Sequence, residues 1–353
     1  MQRSRPLHAL LLVAMAASAC GSASSQSSTG LKHVNISFVY ASTLLNAMQE
    51  MAIGAKAGAE GSVGVTFNEV APPGTAIDGP AEAGLFRTAA KASNGVAFQT
   101  LSPDVFFQPL QQAHSSGVPL VAVDTPPPPS SDVVTFVGNS NFQVGQMLAT
   151  KMLDKIPAGA VGRVVVGNSI PGLPVLDQRI TGMLQVIRQQ RPSVQIIGPF
   201  NSRITPNDNL AAWTAEVKQY PDALAYLAPS DLDAVSLAQI QRQTGRHLLV
   251  GACDLEAVAL QAIKDGLVYS LVSPEHWLKG YIAVRLLIEH AQLGKSLPQG
   301  WWNPGALVVD QSNVGDIIAR QQDAASRTNW FRSRVDKQFA DQSQYLKPIS
   351  AAT

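Results

Sequence analysis

A two-lobed α/β fold built on doubly wound parallel sheets is predicted for this chain by three features. Short apolar runs alternate with amphipathic helical stretches from residue 33 onward, the alternation comes in two successive series, and polar residues stand where the apolar runs stop. Strand–helix–strand repetition forces parallel strands joined by right-handed crossovers, hence open sheets with helices on both faces. The 353 residues, 46% of them apolar and 14% charged, supply two ordinary cores. A formal net charge of +1, with no basic stripe or interleaved aromatic platform, gives nucleic acid nothing to bind.

In chain order, Arg3 and Arg5 precede "ALLLVAMAASA", an apolar run too short to span a bilayer comfortably and ending in small residues. "ASAC" followed by Gly21 resembles a lipobox, which makes residues 1–20 a lipoprotein signal segment with Cys20 as the lipidation site. Residues 21–32, led by the polar "GSASSQSSTG", then read as a flexible tether to a membrane. The one other cysteine, Cys253, follows "LLVGA", so the mature chain has no internal disulfide and Cys253 reads as a small buried apolar residue.

The first series pairs "VNISFVY" with "LNAMQEMAIGAKAGAE", "GVTFNEV" with "AEAGLFRTAAKAS", and "GVAFQT" with "DVFFQPLQQAHSSG", and ends on "PLVAVD". The second follows "TFVGNSNFQVGQMLATKMLDKI", with strands "GRVVVGN", "VQIIGPF", "ALAYLAP" and "HLLVGA" separated by helical stretches. After "GLVYSLVS" comes a long helix, "PEHWLKGYIAVRLLIEHAQLGKSLP", with Trp277, Tyr281, Val284, Leu287 and Ile288 spaced for one apolar face. Strand-like "GALVVD" and a polar, partly helical tail without a usable motif complete the chain.

Ligands of open α/β sheets bind beyond the carboxyl ends of the strands. The polar residues there are Ser42 and Thr43, Gln99 and Thr100, Asp124 and Thr125, Asn168 and Ser169, Ser230 and Asp231, Asp254, and Ser273, a set without histidine. For Asp231 helix capping is the plainer role, and for Asp254 capping and ligand contact weigh equally. Asp124 is followed by Thr125 and four prolines, so no helix starts there to be capped. Arg179 lies near the beginning of its helix, where the macrodipole disfavours a cation, so it is expected to face the crevice. No G-x-S-x-G elbow, metal-spaced histidine cluster, Walker A loop or strand-following G-x-G-x-x-G occurs, so neither an enzyme nor a cofactor or metal is expected.

"VPLVAVDT…VTFVGNSNFQVGQMLA", "DQRITGM", "PDALAYLAPSDLDAVSLAQI" and "LLVGACDLEAVALQAIKDGLVYSLVSPEHWLKGYIAV" resemble the ribose/galactose class of type I periplasmic solute-binding proteins of ABC transporters, from about Lys32 to Val309. The resemblance implies two lobes joined by a three-crossover hinge and closing on a small ligand. It implies a first lobe of 33–138 plus 274–304, a second of 139–273 plus 305–330, and a tail of 331–353. It places Asp124 and Asp254 as acceptors of ligand hydroxyls from opposite lobes, with Arg179 as a donor beside them. Ser42, Asn46, Gln99, Thr100, Thr125, Ser230 and Ser273 complete the expected site.

Two departures qualify the ligand. Where sugar binders of this class present stacking aromatics, "LLNAMQEM" offers Asn46, Ala47 and Met48. Thr125 and Ser230 stand where an arginine and an asparagine are usual. Trp277 could supply the missing ring, although its spacing with Tyr281 suits a core better. The implied function is a monomeric, lipid-anchored extracytoplasmic protein that delivers a sugar or polyol to an ABC permease; a sensor passing its closed state to a membrane kinase or chemoreceptor is the alternative on the same fold, and an extracytoplasmic glycosidase-like enzyme using Asp124 and Asp254 as its carboxylate pair is a lesser one.

Overall fold

The computed structural model describes residues 31–74 and 76–352. The expected signal segment, with Cys20, and residues 21–30 of the expected tether lie outside them. The chain opens with β1 (Val34–Val39), α1 (Asn46–Ala59), β2 (Val65–Val70), α2 (Gly79–Ala92), β3 (Gly95–Phe98), α3 (Pro103–Ser115), β4 (Leu120–Val123) and β5 (Thr135–Val137). It then builds a second lobe from α4 (Asn141–Met152), β6 (Gly162–Asn168), α5 (Pro174–Gln190), β7 (Val194–Asn201) and α6 (Pro206–Gln219). That lobe continues with β8 (Ala225–Leu227), α7 (Asp231–Thr244), β9 (Val250–Cys253), α8 (Ala257–Lys264) and β10 (Ser270–Ser273). The chain returns in α9 (His276–Leu293) and β11 (Gly300–Trp302), crosses for β12 (Leu307–Val309) and α10 (Val314–Arg320), and comes back in α11 (Ala324–Ala340) and β13 (Leu346–Lys347).

The two sheets run β13-β11-β5-β4-β3-β1-β2 and β12-β10-β9-β8-β6-β7. Each is parallel except for one antiparallel edge strand, β13 or β12. Each lobe's first five strands repeat one order, with the topological switch between β1 and β3 in the first lobe and between β6 and β8 in the second. Burial explains the sequence patterns. Helices cover both faces of β3, β4, β8 and β9, whose residues are all buried and read as unbroken apolar runs. The edge strand β2, "VTFNEV", alternates because one of its faces is wet.

In each lobe a glycine lets two helices approach backbone to backbone. A Cβ on Gly54 of α1 would lie 1.9 Å from the Trp277 carbonyl oxygen of α9, and one on Gly145 of α4 would lie 1.8 Å from that of Arg179 on α5. These crossings fix where the N-terminal parts of α9 and α5 stand, from which His276 and Arg179 line the cavity between the lobes.

The chain makes one passage more than the three-crossover expectation. The expected boundary at residue 330 falls inside α11, whose Phe331 and Val335 are buried in the first-lobe core with α1 and α9. Phe331 stacks on Trp277 with ring centroids 4.8 Å apart, and Trp302 Nε1 donates to Gln338 Oε1 at 2.8 Å. A mostly polar sequence hid this helix, because only a narrow stripe of it is buried. Among the described residues no helix is long and apolar enough to cross a membrane.

Candidate ligand-binding site

Asp124 and Asp254 occupy equivalent places. Each directly follows an inner strand, β4 or β9, and each has a left-handed backbone, with φ of 65° and 68°. Their amide N–H groups still continue the ladder, Asp124 donating to Val137 O and Asp254 to Val272 O, both at 2.9 Å. A left-handed residue at that point ends the strand and turns its side chain toward the crevice, and aspartate is among the few non-glycine residues that tolerate the conformation. Neither caps a helix: Glu256, not Asp254, accepts from the first N–H groups of α8.

Between the two carboxylates runs a buried ionic chain. Lys279 Nζ donates to Asp124 Oδ1 and, at 3.2 Å, to His276 Nδ1. His276 Nε2 lies 2.8 Å from Asp254 Oδ1, and Arg179 Nη1 donates to Asp254 Oδ2 at 2.7 Å. Arg179 is further fixed by Nε to Asn141 Oδ1 at 3.0 Å and by Nη1 to Pro229 O at 2.8 Å. Both ring nitrogens of His276 are thereby partnered, Nδ1 by the lysine and Nε2 by the carboxylate. Burial works against ionisation of Asp254, yet Arg179 and His276 outweigh it and hold the carboxyl well below its usual range. Burial opposes ionisation of Asp124 in the same way, and Lys279, with His276 and Arg179, holds it ionised.

The cavity between the lobes has a volume of about 680 Å³ including its mouth. Asn46, Asp124, Arg179, Ser230 and Asp254 of the expected residues line it, as do Ser169, Asp231 and His276. Asn46 Nδ2 bridges the lobes by donating to Asp231 Oδ2 and to Leu255 O, both at 2.8 Å. Asp231, expected as a helix cap, therefore faces the crevice from the first residue of α7. Burial and the neighbouring Asp254 charge push its carboxyl up to about 7, so it titrates near neutrality.

The other expected residues stand outside this lining. Ser42 donates to Gly74 O and accepts from the Leu44 and Leu45 N–H groups. Gln99 accepts from Ala41 N at 3.2 Å, and Ser273 accepts from Glu275 N at 3.1 Å. Thr125 is buried, and its hydroxyl has no hydrogen-bond partner among the described residues. Trp277 is core, stacked between Tyr281 and Phe331, and Cys253 is fully buried, its thiol pushed up to about 12 by burial. His276, which lines the cavity, and Lys279, fully buried and outside the lining, join the ionic chain from α9 and so fall outside a survey of strand ends.

Thr100 belongs instead to a buried acid, its Oγ1 donating to Glu82 Oε2 at 3.0 Å. Burial pushes Glu82 up to about 8 against the opposing effect of that hydrogen bond. The folded chain then keeps a proton that the unfolded chain loses above about pH 4.5. This contribution to stability is present in full below about pH 4.5 and is lost as pH rises to about 8, at about 1.4 kcal/mol per unit. Glu82→Gln is expected to flatten the decline of the melting temperature between pH 5 and 8 and to exceed the parent at pH 8. An unchanged slope in a melting series would assign the decline to other groups.

Comparison with known proteins follows from this geometry. Residues 36–296 match the family model described as a periplasmic binding protein domain. The xylose/arabinose-binding protein of Sulfolobus acidocaldarius is 23% identical over 208 residues, 54% of this chain and 50% of that protein. The ribose import binding protein of Bacillus subtilis is 25% identical over 174 residues, 49% of this chain and 55% of that protein. The chain thus spans about half the length of the curated relatives it matches. Among solved structures, an ABC transporter solute-binding protein from Burkholderia graminis in complex with D-arabinose superposes with a TM-score of 0.73 at 19% identity, covering 80% of this chain and 97% of that one.

Proposed function

The chain belongs to the periplasmic binding protein domain family, and from that premise we propose that it captures a small, uncharged, polyhydroxylated solute between its lobes and delivers it to an ABC permease. The observation that carries this reading is the balanced ionic chain at the strand ends. Asp124 and Asp254 are each paired with a buried basic side chain, Lys279 and Arg179, so these two carboxylates are already compensated and suit the hydroxyls of a neutral guest. Both carboxylates retain free lone pairs, and charge-assisted acceptance of hydroxyls is roughly twice as strong as a neutral hydrogen bond. Xylose, arabinose and ribose, named for the relatives, are solutes of this kind.

Binding works by closure. Asn46 on the first lobe reaches Asp231 on the second only when the jaws meet, so a ligand touching both lobes stabilises the closed form. The curated relatives are named as binding proteins, which favours capture without turnover. The working place is the extracytoplasmic face of the membrane, with Cys20 as the lipid anchor and a monomer as the working unit.

A melting-temperature screen of the purified chain against pentoses, hexoses, polyols and charged amino acids tests the reading. A hydroxylated neutral compound at 100 times its Kd is expected to add about 2.7 kcal/mol of stability. Stabilisation by charged compounds alone would overturn it.

A further inference from the structure

The ionic chain contributes Asp124, Arg179, Asp254 and His276 to the cavity lining, Asn46, Ser169, Ser230 and Asp231 add polar atoms, and the remainder is aliphatic. Of the 18 residues around the cavity ten are apolar, and none is Phe, Tyr or Trp. Leu173, Val175 and Leu176, at the start of α5, form a buried cluster of their own, apart from the lobe cores, with Leu101 and Ile170 packed against it. Leu101 comes from the first lobe, after β3, and the others from the second, so this apolar wall spans the crevice just as the ionic chain does. Met48 and Leu232 extend it from α1 and α7.

A pentose or hexose with a hydroxyl on every carbon would turn some of its hydroxyls toward this apolar wall. Hydroxyls turned to the wall would lose water and gain no partner, and an unpaired buried polar group is strongly disfavoured. Pyranose faces are usually met by flat aromatic rings, which this cavity lacks. Branched aliphatic side chains from two sides enclose instead a group with no polar atoms.

We infer that the captured solute is amphipathic, with hydroxyls at one end meeting Asp124, Asp254 and Asp231 and a deoxygenated or alkyl portion of a few carbons seated on Leu101, Leu173 and Leu176. This inference rests on the solute-capture reading above and narrows its ligand class. The solute is then a deoxy sugar or an alkyl-bearing polyol rather than a fully hydroxylated monosaccharide.

Calorimetric titration of the purified chain with matched pairs tests it: L-rhamnose against L-mannose, L-fucose against L-galactose, and butyl against methyl β-D-xyloside and β-D-glucoside. Each buried carbon is worth about a four-fold gain in affinity. The longer-alkyl member of at least one glycoside pair is therefore expected to bind about ten-fold tighter or more, the deoxy sugars to bind tighter than their hydroxylated partners, and Leu176→Thr to erase that preference. If the fully hydroxylated or methyl members bind equally well or better throughout, the amphipathic solute is overturned and solute capture stands. If no member of any pair binds, both fall. A preference that survives in Leu176→Thr and also in Leu173→Ser would overturn the seat on this wall.

Discussion

Arg179→Leu is expected to lower stability by about 3–5 kcal/mol and to abolish ligand binding, because it strands a carboxylate in the crevice wall. Arg179 is 1% exposed and Asp254 6%, so water cannot replace the lost guanidinium. The arginine also joins three elements, holding Asn141 at the start of α4, the carbonyl of Pro229 after β8 and Asp254 after β9. Lysine cannot hold all three, since its single ammonium has no planar fork, so Arg179→Lys should recover only part of the loss. Combining Arg179→Leu with Asp254→Asn removes the stranded charge and should restore more than half of the stability, though not the binding. Denaturant midpoints of the parent, Arg179→Leu, Asp254→Asn and the double variant give the coupling directly. A loss under about 1 kcal/mol for Arg179→Leu would mean that Asp254 is solvated in solution and that the closed crevice is not its resting form.

The fold and the two carboxylates of the five-member ionic chain are legible in the sequence for one physical reason: parallel strands stop where their ladder stops, so a polar residue directly after an apolar run is placed without any tertiary information. Asp124 and Asp254 were legible on that basis, and Arg179 because a cation near a helix start runs against the macrodipole. Lys279 satisfies the same macrodipole argument, sitting in the first turn of α9, and His276, three residues before it as the helix's first residue, shares its face. They were missed because the apolar stripe of Trp277, Tyr281 and Val284 accounts for most of that helix and drew attention from the side facing the crevice. Ser42, Gln99, Thr100 and Ser273 met the strand-end criterion equally well, but they satisfy nearby backbone or buried side-chain groups. Sequence marks the end of a strand; it does not say whether a short polar side chain there turns outward to a ligand or back to its own loop.

Glu275→Ala should disable closure from outside the cavity. Glu275 sits in the passage between β10 and α9, is 1% exposed and has a left-handed backbone with φ of 56°. Its carboxylate accepts from Arg320 of α10 at 3.0 Å and from Arg334 of α11. Arg334 in turn donates at 3.2 Å to Pro304 O, in the passage between β11 and β12, so one acid ties both lobes' helices to two crossovers. Removing it leaves Arg320, which is 3% exposed, without its carboxylate, and a loss of about 3–5 kcal/mol is expected. Glu275→Gly removes the same charge but relieves the left-handed backbone, so it should be milder than the alanine variant by about 1–2 kcal/mol. Ligand affinity should fall about ten-fold for each 1.4 kcal/mol by which the hinge had favoured the closed form, although no ligand contact is removed. Melting curves and calorimetry on both variants, with small-angle scattering of the unliganded protein, separate the outcomes. Weaker binding with a wider unliganded envelope identifies Glu275 as the hinge clamp; lower stability with an unchanged Kd would confine it to holding α10 and α11 in place.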